Sequence, residues 1–94
     1  DAVSAAVFKV FCEKVNVPYQ TFTNRSDMAG GSTLGNIANT KVSLNTVDIG
    51  LPQLAMHSPY ETAGTKDTGY FCEVAKKFFS SSVQMKANGI YEIR

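Results

Sequence analysis

From Val3 to Val15 the apolar residues Val3, Val7, Val10 and Phe11 recur every three or four positions, while Lys9, Glu13 and Lys14 occupy the other side. That spacing matches the turn of an α-helix and predicts an amphipathic one. Asn16 and Pro18 should end it, because proline has no amide proton and pushes the residue before it toward extended geometry. Tyr19 to Thr23 then alternates Tyr19, Thr21 and Thr23 with Gln20 and Phe22, which predicts a short strand. A polar loop follows from Asn24 to Thr33. Leu34, Ile37, Ala38 and Val42 predict a second helix, started by a Ser32 or Thr33 cap behind Gly30 and Gly31.

The run Thr46-Val47-Asp48-Ile49-Gly50-Leu51-Pro52 is rich in β-branched residues and predicts a second strand that Pro52 terminates. Gln53 to His57 continues as an extended or strand-like stretch until Ser58-Pro59-Tyr60 breaks it. A third helix is predicted from about Thr65 to Ser81, with a wide apolar face of Tyr70, Phe71, Val74, Phe78 and Phe79. Asn88-Gly89 marks a turn, and Ile90 to Arg94 reads as a closing strand. Helices alternating with strands place the chain in the α/β class, a sheet covered by helices with ligand sites in the loops at strand ends. The informative loops are Asn24 to Thr33 and His57 to Thr65.

Composition narrows the picture. The 94 residues are 44% hydrophobic and 11% aromatic, enough for one modest core and too few for a second domain. The chain begins at Asp1 rather than Met, so it is expected to be processed or cut from something longer. Nine basic residues against eight acidic ones give a net charge of +1, and Lys76-Lys77 is the only adjacent basic pair. Nucleic acid binding, which needs a clustered basic face, is not expected. No apolar run reaches the roughly 20 residues of a membrane span, and no signal-peptide pattern opens the chain. Cys12 and Cys72 sit inside helical patterns and read as reduced packing residues, which suits a cytoplasmic setting.

Chemistry-bearing residues are few. His57, the single histidine, lies where a neutral imidazole could project into a site and ligate zinc, although a lone histidine is more often a satisfied polar group near a surface. No second histidine or thiolate pair stands near it, so the chain could supply only part of a zinc site. Asp27 could be a base or a ligand, but a loop Asp more commonly closes a turn or pairs with Arg. Gly31, Ser32 and Thr33 at a helix start could present backbone amides to an anion. A phosphate-binding loop would carry Lys where Gly31 stands, so phosphoryl transfer is not expected. Glu61 and Asp67 flank the turn after His57 and could orient its ring or bind metal; helix capping by Thr65 or Asp67 is the favoured reading. A Cys-His nucleophile has no support in the spacing.

Two strings become informative together: Asn24-Arg25-Ser26-Asp27-Met28-Ala29-Gly30-Gly31-Ser32-Thr33-Leu34-Gly35 and Val47-Asp48-Ile49-Gly50-Leu51-Pro52-Gln53-Leu54-Ala55-Met56-His57-Ser58. With Glu61, the Gly64-Thr65-Lys66-Asp67 turn and Phe78-Phe79, they closely resemble the C-terminal part of the aspartyl aminopeptidase family of zinc metallopeptidases, bacterial members above all. The resemblance implies a three-layer sheet flanked by helices, of which residues 1–94 form a single C-terminal segment without the upstream part and the inserted oligomerisation domain. It implies a two-zinc centre that hydrolyses the acidic N-terminal residue of peptides, with His57 as a zinc ligand and with Gly31, Ser32 and Thr33 lining the substrate pocket. The other ligands and the catalytic glutamate of the family have no counterpart in these residues, so the segment alone should be inactive. Its implied partners are a peptide substrate, the rest of its catalytic domain and further copies of itself in a homo-oligomer; a catalytically silent member serving in assembly or binding is the alternative.

Overall fold

In the computed structural model, which describes residues 2–23, 26–27 and 34–94, the first apolar stripe forms helix α1 (Ala2–Lys14). Its end is closed by a left-handed residue, Asn16, at φ 56°. The Asn16 amide donates to the Glu13 carbonyl at 3.2 Å, and the Val17 amide reaches back to the Cys12 carbonyl at 2.9 Å. This is the bonding of a Schellman cap, and Val17 packs on the core as that motif's apolar contact requires. Asn16 therefore ends the helix through its own backbone, ahead of Pro18.

No strand forms at Tyr19 to Thr23, contrary to the alternating pattern. Alternation stabilises a strand only where a neighbouring strand packs against it, and none is paired here. Tyr19 instead turns its hydroxyl back to donate to Glu13 Oε1 at 3.3 Å. Helix α2 (Leu34–Lys41) forms as expected, and the chain leaving it is tied back to its last turn by the Leu44 amide, which donates to Asn39 Oδ1 at 2.8 Å. The predicted cap at Ser32 or Thr33 lies outside the described residues.

The second predicted strand, Thr46 to Pro52, is also absent as a strand. The extended run expected through His57 shrinks to β1 (Gln53–Leu54), which pairs antiparallel with β2 (Thr62–Ala63) in the register Gln53 to Ala63 and Leu54 to Thr62. Beyond Leu54 the backbone leaves the β region, with Ala55 at φ 54° and His57 at φ 69°, so no ladder can continue. Helix α3 (Thr65–Phe79) then runs until Ser80 and Ser81 take over the last carbonyls: both hydroxyls donate to the Lys77 carbonyl, at 3.0 and 2.7 Å. The N-cap is Gly64 and makes no side-chain capping bond, so the capping role assigned to Thr65 or Asp67 is not realised. Asp67 sits in the first turn, where a negative charge suits the helix dipole.

The chain finishes in a hairpin of β3 (Val83–Ala87) and β4 (Ile90–Ile93), turning at Asn88-Gly89 with Gly89 at φ 79°. β4 is the expected closing strand, and β3 is a partner that the composition of the residues before the turn does not predict. Ser82 and Arg94 extend the ladder by exchanging backbone bonds of 2.6 and 2.7 Å. Mixed helix and strand is thus what the described residues show, arranged as two separate two-stranded antiparallel sheets. A layered sheet of the expected kind needs more strands than they contain.

The core sits where α1 crosses α3. Phe11 and Cys12 are each 1% exposed and Val74 6%, with Val7, Phe8, Val15, Val17 and Ile93 packed around them. Phe11 meets Phe78 edge to face at a centroid distance of 5.6 Å. Cys12 belongs to this packing as expected, but Cys72 is exposed, a correction to its reading as a packing residue. The apolar face of α3 is only partly used, since Phe78 and Phe79 remain exposed. The accessible surface of 7880 Å² far exceeds the roughly 5,300 Å² expected of a self-contained monomer of 10.2 kDa. Among the described residues, no helix is long and apolar enough to cross a membrane.

Candidate metal-ligand site

The site is a turn held at its neck by the β1–β2 ladder and leading through Gly64 into α3. Within it the Ser58 amide donates to the Ala55 carbonyl at 3.1 Å, closing a four-residue turn with Met56 and His57 at its centre. The positive φ of His57 at the third position is the signature of a type II turn, which normally places glycine there. A side chain with a Cβ costs about 1–2 kcal/mol in that conformation, although histidine is among the residues that tolerate it best. His57 is exposed, so its imidazole is open to groups brought by other segments.

Three further bonds shape the turn. The His57 amide donates to Glu61 Oε1. The Tyr60 amide donates to Ser58 Oγ at 3.1 Å, and Thr62 Oγ1 donates to the Tyr60 carbonyl at 3.3 Å. Glu61 is therefore engaged with the main chain of the candidate ligand, a use distinct from both of those weighed for it in the sequence, orienting the ring and binding metal. Nothing in the residue pattern distinguishes these uses; the spacing of Glu61 from His57 was visible, but the left-handed backbone that aims the amide at the carboxylate was not.

Of the predicted site residues, the structure describes His57 alone; Gly31, Ser32 and Thr33 lie outside the described residues. Asp27 is described, lies in a turn and is engaged in a polar interaction. Among the described residues, no group of three or more His, Cys, Asp or Glu could hold a metal ion. An imidazole is a donor that suits zinc, and one imidazole by itself is far from the roughly four donors a zinc site needs. An apolar groove of about 300 Å³ between α1 and β4, bordered by Val3, Val7, Val10 and Tyr91, contains none of the predicted site residues.

The described residues thus present an exposed histidine turn set before an amphipathic helix, in a chain with much uncovered apolar surface. Comparison with known families supplies the class: residues 1–79 match the aminopeptidase I zinc metalloprotease (M18) family, and the chain belongs to it. Three bacterial relatives illustrate the match. A protein of Clostridium novyi (strain NT) named "Probable M18 family aminopeptidase 2" is 49% identical over 80 residues, covering 85% of this chain and 18% of the relative. Proteins of the same name from Clostridium acetobutylicum and Pseudomonas aeruginosa PAO1 are 48% and 46% identical, covering 85% and 84% of this chain and 18% of each relative. The chain thus spans about 18% of the length of these curated relatives. No solved structure matches it at a significant level.

Proposed function

We propose that the chain is the C-terminal part of the catalytic domain of a zinc metallo-aminopeptidase and that His57 supplies one ligand to its two-zinc centre. The observation that carries this reading is His57 itself: inside the family-matched region, the single imidazole of the chain stands exposed at a strained turn position that glycine would occupy more easily. A strained residue standing where a relaxed one would fit points to a functional side chain. When bound, zinc polarises the scissile carbonyl and activates water.

The contribution of this chain is positional. The β1–β2 ladder fixes both ends of the turn, the Ala55–Ser58 bond sets its shape, and the imidazole is presented outward for the remaining ligands to meet. The surplus exposed surface is where the rest of the catalytic domain packs, and further copies of the protein complete a homo-oligomer. Backbone amides of Gly31, Ser32 and Thr33 contact the peptide substrate, whose N-terminal residue is acidic, and the enzyme works in the cytoplasm.

The test is His57→Ala in the full-length polypeptide that carries this chain. Bound zinc should fall by about one equivalent. The kcat/KM for peptides with N-terminal Asp or Glu should drop by at least about 100-fold, since even groups supporting a ligand are worth 10–100-fold. Unchanged zinc content with unchanged hydrolysis would overturn the assignment. A wild-type preference for N-terminal Leu over Asp would overturn the acidic specificity alone.

A further inference from the structure

We propose that Glu61 is a positioning residue for His57: its carboxylate pins the His57 amide and so holds the imidazole in the orientation from which it ligates zinc. The inference rests on His57 being a ligand and adds the group that orients it.

The conformation of His57 is not one that a histidine adopts unaided. At φ 69° its Cβ is crowded by its own backbone, and relaxation to the right-handed region would swing the Cα–Cβ bond, and the ring with it, to another direction. Two bonds oppose that relaxation. One is the Ser58 amide on the Ala55 carbonyl, which spans the turn from outside the residue. The other acts on His57 directly, through its amide donating to Glu61 Oε1. Because the acceptor is ionised, this is the stronger class of hydrogen bond. Glu61 is itself held from behind, as the next residue, Thr62, is paired with Leu54 in the β1–β2 ladder. The carboxylate thus ties the centre of the turn to its neck.

This arrangement differs in a testable way from one in which Glu61 ligates metal. A positioning role needs one acceptor oxygen facing the His57 amide, and the glutamine side-chain amide also offers one, though without the charge. A ligand needs the negative charge, which glutamine lacks. The experiment compares wild type, Glu61→Gln, Glu61→Ala and His57→Ala in the full-length protein, with zinc affinity measured by chelator competition and amide hydrogen exchange followed in the zinc-free state. Glu61→Ala should weaken zinc binding about 10–100-fold, speed exchange at the His57 amide by at least about tenfold, and lower kcat with KM nearly unchanged. Glu61→Gln should stay within about threefold of wild type in all of these. Equal loss in Glu61→Gln and Glu61→Ala overturns the proposal in favour of ligation. Loss of zinc in His57→Ala with none in Glu61→Ala overturns the positioning role and leaves His57 a ligand. Retention of zinc in His57→Ala overturns the ligand assignment, and the positioning role with it.

Discussion

The Ser58 amide is bonded to the Ala55 carbonyl at 3.1 Å, and the turn this closes leaves His57 at φ 69°. Strain of that kind separates what position 57 does for function from what it does for stability. His57→Gly and His57→Ala both remove the imidazole, yet glycine adopts positive φ freely. Glycine's greater freedom in the unfolded chain offsets part of that gain, so His57→Gly should be more stable than His57→Ala by about 0.5–1 kcal/mol. Denaturant unfolding of the two full-length variants measures the difference, and equal midpoints would mean that the left-handed turn does not persist in the intact protein.

Why the turn was invisible while the helices were not follows from the range of the interactions. The stripe of Val3, Val7, Val10 and Phe11 and the helix-ending Asn16 act over one or two turns, so the pattern alone places α1 nearly to the residue. The alternation at Tyr19 to Thr23 and the β-branched run at Thr46 to Pro52 look equally regular, but a strand is completed by another strand, and these segments have none among the described residues. β3 is the converse case. Asn88-Gly89 is a strong hairpin signal that implies a strand on both sides, whereas the residues before it are poor in the β-branched and aromatic types that mark a strand. At the candidate site, the Met56-His57-Ser58 run singles out His57 as a candidate through the family resemblance alone. The bond from its amide to Glu61 depends on backbone angles that no residue pattern states.

The cap of α1 offers a prediction free of any functional assumption. Asn16 holds φ 56° so that the Val17 amide can reach the Cys12 carbonyl at 2.9 Å. Asn16→Gly should preserve or raise stability by up to about 1 kcal/mol, because glycine is the preferred residue at this position. Asn16→Val should cost about 1–2 kcal/mol, since a β-branched side chain is a poor occupant of the left-handed region. Thermal melts of the two variants should therefore move in opposite directions or, at the least, differ clearly. A valine variant as stable as wild type would show that α1 ends differently in solution.

The two thiols should behave as different chemical species. Burial raises the pKa of Cys12, with its backbone hydrogen bond opposing and Glu13 reinforcing the shift, whereas Cys72 is exposed on α3. Because the thiolate is the nucleophile, a disulfide reagent at pH 8 should label Cys72 rapidly and Cys12 only at the rate of unfolding. The sign of the linkage follows from the raised pKa. The folded state holds the Cys12 proton more tightly than the unfolded state, so this group leaves stability unaffected below the ordinary thiol range near about 8.5 and lowers it as pH rises through the folded pKa. Fast labelling of both thiols under native conditions would contradict the packing of Cys12 against Phe11 and Val74.

Phe79 ends α3 at 84% exposure, stacked edge to face on Phe78 at a centroid distance of 5.3 Å, and lies at the last residue of the family match. An aromatic side chain left that bare gains almost nothing from the fold of these residues alone, and on that basis Phe79→Ser should change stability by less than about 0.5 kcal/mol. If the rest of a catalytic domain covers this face, as proposed, the same substitution removes a buried ring and should cost about 3 kcal/mol or more. The two values are far enough apart for one urea titration of the full-length variant to separate them. A large loss of stability would establish that the exposed aromatic end of α3 is an internal surface of a larger body. A negligible one would place Phe79 in solvent and remove the main structural support for docking at that face.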